Sequence, residues 1–304
     1  MSMIHLADGT IRRLGRKRPV AHGPRLRMAR YFDASAITPP AAVDYSPKAS
    51  AALSRMYCND ELGCCVASWL AHFVGVATGN ADGSPIVFTD PQIVQLYSAL
   101  SGYVPGRPDT DVGCNEVDAL NYMHQHGFLG HQIAGYLSVN PLDTNEVKAA
   151  VYLFENLMFG IEIPDEWAQV TGSGFVWDAG TPNSENGHCV GSPSYGDEGL
   201  GISTWGMLGT MTWRALARDV IAQSGGELYT LITHDMISRA TARAPNGLDW
   251  GSLIADFNSM GGHVPAPAPA PSPPHPAPSP VVNPTKAQVM NAVVNAISGL
   301  HWTK

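Results

Sequence analysis

A thiol at the head of an apolar helix constrains this chain more than any other feature. The stretch Asn59-Asp60-Glu61-Leu62-Gly63-Cys64-Cys65-Val66-Ala67-Ser68-Trp69 closes a loop and runs straight into a segment where Val66, Ala67, Trp69, Leu70, Phe73 and Val74 recur with helical spacing. Cys65 therefore falls in the first turn, beside unpaired backbone N–H groups and the positive end of the helix dipole. That position lowers a thiol pKa and favours the thiolate, the form that attacks carbonyl carbon. Gly63 lets the loop turn tightly, and Asn59, six residues before Cys65, is placed to donate to an oxyanion. Cys64 is the alternative nucleophile.

Far downstream come Gly187-His188-Cys189-Val190, a short turn, and Gly201-Ile202-Ser203-Thr204-Trp205-Gly206. These read as two strands that hold a histidine and a small-polar-aromatic corner. With the cysteine first and the histidine second, residues 59–232 resemble the papain-like cysteine peptidase superfamily, and within it a divergent branch associated with bacteriophage and prophage genomes. The resemblance implies an α+β fold, a helical half packed on an antiparallel sheet half with the cleft where they meet. It implies that Cys65 is the nucleophile and His188 the general base. Asn59, where papain-type enzymes usually carry glutamine, then forms the oxyanion hole with the Cys65 N–H. The family's Asn-Ser-Trp-Gly corner falls on Ser203-Thr204-Trp205-Gly206. Ser203 thus stands where an asparagine orients the imidazole, with a shorter and weaker hydroxyl, and Trp205 shields that contact from water.

Such thiol machinery serves peptide hydrolysis, amide hydrolysis or acyl transfer alike. In a phage setting the resemblance implies a peptide or cell-wall peptide substrate. The alternative is a papain-like fold kept as a structural or binding component of a phage particle. There is no metal constellation, phosphate loop or dinucleotide fingerprint, so no cofactor is expected. Five cysteines at irregular spacing fit neither a disulfide framework nor a zinc site and are read as reduced thiols, Cys189 among them as a core residue. His72, His124 and His126 lack supporting partners and are read as structural or surface residues.

Charge is unevenly placed. Residues 1–30 hold eight of the 18 basic residues and a single acid, Asp8, a balance of +7; the rest carries 10 basic and 25 acidic residues, or −15. A basic arm precedes an acidic body. The arm lacks a nucleic-acid recognition motif, so nucleic acid is not the expected partner, and docking on its own acidic domain or on a neighbouring copy accounts for the charge. A sharper alternative is an inhibitory propeptide. No apolar run approaches the roughly 20 residues of a membrane span, and the first residues lack the order of a secretory signal. Synthesis in a host cytoplasm is expected, with virion association through the arm and the C-terminal helix.

Four segments follow: a basic extended arm over 1–47, a papain-like domain over 48–262, a Pro/Ala-rich linker over 263–284 and an amphipathic helix over 285–304. Within the domain, helices are expected over 65–78, stopped by Gly79-Asn80, then over 92–100, 114–125, 147–156 and 212–220, with further helical pattern over 235–260 broken at 244–247. Strands are expected over 132–139, 157–163 and 227–232, and on both sides of the Gly196–Gly199 turn. The long loop 164–186 precedes His188, which puts Trp167, Phe175 and Trp177 on the cleft rim, as substrate-site aromatics or as a packed lid.

Overall fold

Gly83, not Gly79, ends the helix that Cys65 begins. The computed structural model describes residues 2–19 and 26–260; the linker and the helix expected over 285–304 lie outside the described residues. A short helix α1 (Ser50–Leu53) leads into α2 (Cys65–Asp82), which stops where Gly83 takes a left-handed φ of 86°. Gly79 lies inside the helix, and it is glycine because a Cβ there would lie 2.4 Å from the Lys48 carbonyl oxygen. Asn80 also continues the helix, its amide bonded to the carbonyls of Tyr45 and Val76. Helix α3 (Asp90–Ser101) starts from a Thr89/Gln92 capping box with Pro91 in its first turn. Helix α4 (Glu116–Gln125) starts two residues later than expected because Asn115 caps it, accepting from the Val117 N–H.

The chain's first strands, β1 (Ser2–His5) and β2 (Ile11–Leu14), form an antiparallel hairpin, so the arm is more ordered than its composition suggests. A two-residue strand β3 (Val43–Asp44) joins the main sheet. That sheet comprises β4 (Gly135–Ser138), β5 (Leu157–Glu162), β6 (Phe175–Trp177), β7 (Gly187–Tyr195), β8 (Gly199–Thr204), β9 (Met207–Thr212) and β10 (Glu227–Ile232). Its order is β4-β10-β5-β7-β8-β9-β6, with β3 on β7, and it is antiparallel except where β6 runs parallel to β9. The long loop thus contributes an edge strand.

Helix α5 (Thr144–Phe154), capped by Asp143, and helices α6 (Trp213–Asp219), α7 (His234–Arg243) and α8 (Trp250–Ser259) complete the fold. Alternation along the strands separates two cores. Phe159 and Ile161 of β5 and Leu228 and Ile232 of β10 face the core shared with α5, α7 and α8. Met158, Tyr229 and Leu231 face the core built by α2, α3 and α4. Trp69 of α2 lies over Gly191 of β7, where a Cβ would come within 2.0 Å of the indole. The helix that carries Cys65 is therefore seated on the strand that carries His188.

Candidate active site

Cys65 opens α2 and is 2% exposed, and the nearby backbone N–H groups of Gly15, Cys189 and Val66 favour its thiolate. Burial outweighs them and pushes the thiol up to about 11. Cys64 points elsewhere: its sulfur contacts the Tyr57 carbonyl at 3.3 Å and Ser68 Oγ at 3.5 Å, inside the helical core. Of the two adjacent cysteines, only Cys65 borders the small void between the halves, together with Asn59, Trp69, His72, Cys189, Ser203, Thr204 and Trp205. The loop before α2 is strained, with Tyr57 and Cys58 at φ of 53° and 60°.

His188 pairs with Ile161 across β7 and β5 and is 1% exposed. Its Nε2 lies 2.7 Å from Thr204 Oγ1, its ring stacks on Trp205 at 4.4 Å and 14°, and its Nδ1 has no hydrogen-bond partner. Burial first, and the nearby Arg12 cation second, push His188 down to about 3. Ser203, by contrast, leaves its Oγ without a hydrogen-bond partner. The physical reason is strand alternation: neighbours on β8 point to opposite sides, and the side that meets the imidazole is that of Thr204. Trp205 takes a left-handed φ of 50° at the corner after β8, which brings its indole over the ring.

Trp167 and Trp177 do not form an open rim. They are 3% and 0% exposed, stack on each other at 5.0 Å and 9°, and Trp177 meets Trp205 edge-on at 6.1 Å. They brace Trp205 from below. The β6 pairing explains the difference, because it pulls the long loop into the sheet.

What covers the site is the arm. Arg13 exchanges hydrogen bonds with Asn59: its N–H donates to the Asn59 carbonyl at 3.0 Å, and Asn59 Nδ2 donates to the Arg13 carbonyl at 3.0 Å. The side-chain amide expected to face an oxyanion thus holds a peptide carbonyl. Gly15 passes so close that a Cβ would lie 1.9 Å from the Gly63 oxygen. The Cys114 N–H donates to the Gly15 carbonyl, the Arg16 N–H to Gly187, and the Lys17 N–H to Cys114, all at 3.0–3.1 Å. The segment is therefore laced to both walls, the nucleophile side and the histidine strand. Arg12 caps it, with its guanidinium 4.2 Å from the Trp205 ring and donating to the carbonyls of Ala168 and Val170. Thr204 and Arg12 were not singled out in the sequence, where the uneven charge was the only signal for Arg12; an arm over the site was open there through the inhibitory-propeptide alternative.

Among the described residues no group of His, Cys, Asp and Glu is arranged to hold a metal ion, and no helix is long and apolar enough to cross a membrane. No family model matches the chain, and no curated protein matches it in sequence. Solved structures do. The chain is similar to xylellain, a cysteine protease from Xylella fastidiosa, with a TM-score of 0.56 and 17% identity over 72% of this chain and 96% of that one. It is also similar to digestive procathepsin L 3 of Tenebrio molitor larval midgut, with a TM-score of 0.51 and 16% identity over 68% of this chain and 74% of that one. The protein has the papain-like cysteine protease fold.

Proposed function

We propose that the protein is a thiol hydrolase of peptides that its own N-terminal arm holds latent. One observation carries this reading: a peptide segment lies across the thiol, bonded by its backbone to both walls of the cleft. A cleft that binds extended chain in this way is suited to a peptide substrate. In the working state Cys65 attacks the acyl carbon, His188 takes and returns the proton, and Thr204 holds the imidazole. Asn59 and the Cys65 N–H receive the oxyanion. Removing the arm withdraws the Arg12 cation from His188 and admits water to the thiol, and both changes favour a thiolate–imidazolium pair.

The phage setting implied by the sequence, and a place on a particle, make structural or cell-wall peptides the substrates to try first. The test is hydrolysis of a fluorogenic peptide library by Gly15→Val, whose side chain the Gly63 contact cannot admit. Turnover by Gly15→Val that vanishes in Gly15→Val/Cys65→Ser supports the reading. Inactivity of Gly15→Val, with its arm shown to be displaced by protease sensitivity, overturns it and favours the particle-component alternative.

A further inference from the structure

Arg16 of the arm is enclosed, and its side chain has 0% exposure. It enters a pocket between the two halves with Glu116 at the start of α4 and Glu227 at the start of β10. Nη2 donates to Glu227 Oε1 at 2.8 Å, Nη1 donates to the Gly225 carbonyl at 2.7 Å, and Nε lies 3.6 Å from Glu116 Oε2. The Tyr229 hydroxyl donates to Glu227 Oε2 at 2.6 Å and fixes that carboxylate. The pocket exists because residue 160 is glycine: a Cβ there would sit 2.3 Å from both Arg16 Nε and Glu116 Oε2.

None of this is needed to cover the thiol, since the backbone bonds of residues 13–17 do that. The acceptors fit a planar fork, with a carboxylate and a carbonyl for the two terminal nitrogens and a second carboxyl beside Nε. An ammonium, a single compact donor group, cannot meet both hydrogen-bond acceptors in this geometry with Glu116 also beside it. When the arm leaves, the pocket keeps buried carboxyl groups without a cation, a costly state.

We propose that the Glu116/Glu227 pocket is a specificity subsite that takes an arginine side chain of the substrate, within two residues of the scissile bond. The arm's Arg16 is the stand-in for that side chain. The proximity follows from the chain itself, because Arg16 is the next residue after the one that faces Cys65. This inference rests on the hydrolase reading for its meaning, but the pocket's chemistry can be tested apart from activity.

The experiment uses the full chain carrying Arg16→Ala. Ethylguanidinium is titrated against its thermal midpoint, with propylammonium as the control, and the positional-scanning fluorogenic peptide library is given to full-length Gly15→Val, whose arm is displaced from the thiol. A saturable rise with ethylguanidinium, absent with propylammonium and abolished in Arg16→Ala/Glu227→Gln, is expected. So is a preference for arginine over lysine of at least about tenfold at one library position. If Arg16→Ala does not fold by itself, its refolding yield against ethylguanidinium becomes the readout, and failure of rescue overturns the proposal. Hydrolysis without arginine preference also overturns it and leaves the hydrolase reading standing. Ethylguanidinium binding with no hydrolysis of any peptide upholds the pocket and counts against the hydrolase.

Discussion

Thr204 Oγ1 lies 2.7 Å from Nε2 of His188, in a buried contact roofed by the Trp205 indole. One residue back, Ser203 is just as buried, but its hydroxyl has no hydrogen-bond partner. In the Gly15→Val background, Thr204→Val should therefore lower kcat/KM about tenfold, the worth of one buried hydrogen bond of about 1–1.5 kcal/mol. Ser203→Ala should change it less than about twofold, under about 0.5 kcal/mol. The reverse order would return the orienting role to Ser203.

The proposed latency makes the reactivity of Cys65 depend on the arm. Burial pushes the thiol up to about 11, so at neutral pH only about one molecule in 10⁴ carries the thiolate. Iodoacetamide should label Cys65 slowly in the native chain, as read by peptide mass mapping. In Gly15→Val, labelling near pH 6 should be faster by about 100-fold or more, and that gain should vanish when His188→Ala is added. Equal rates with and without the Gly15 substitution would mean that the arm does not guard the thiol.

Some of this was legible in residues alone, and the reasons are local. Cys65 heads its helix because an apolar repeat begins there, and the Gly196–Gly199 turn joins β7 to β8. What escaped depends on distant partners. Gly79 reads as a helix stop until the Lys48 carbonyl is seen to need its missing side chain. Trp167 and Trp177 read as rim aromatics, open to substrate or packed as a lid, until β6 pairs with β9 and buries them. The arm's excess charge pointed to an acidic surface, but that Arg16 enters between Glu116 and Glu227 depends on contacts 100 and 211 residues away in sequence.

Two histidines should make the fold sensitive to mild acid. Burial pushes His72 down to about 4 and His188 to about 3, from an ordinary value of 6.5. Between pH 6.5 and 4 the unfolded chain binds protons that the native one refuses, so their contribution to stability is full above pH 6.5 and declines as the pH falls. The limiting slope is about 1.4 kcal/mol per pH unit for each histidine. His72 bonds the Ala52 carbonyl through Nδ1 at 3.0 Å. His72→Gln keeps a donor there without a titrating proton. Urea midpoints of variant and wild type, followed from pH 7 to 4.5, should converge as the pH falls; a constant difference would mean that His72 does not titrate with unfolding.

The seating of α2 on the sheet gives the last prediction. Trp69 is 1% exposed and stands one helical turn after Cys65, with its indole filling the space above Gly191. Gly191→Ala puts a methyl group 2.0 Å from ring atoms on a strand held between β5 and β8, so the ring or the helix must shift. Overpacking of this kind costs about 1–3 kcal/mol, measurable as a lower urea midpoint at an unchanged slope. Because Cys65 and Trp69 share one face of the helix, the shift also moves the thiol relative to His188 on the adjoining strand. In the Gly15→Val background, Gly191→Ala should thus lose kcat/KM at temperatures where it is still folded. A variant that lost stability but kept full turnover would show that the catalytic register is set elsewhere, by the Asn59 loop and the Trp205 corner.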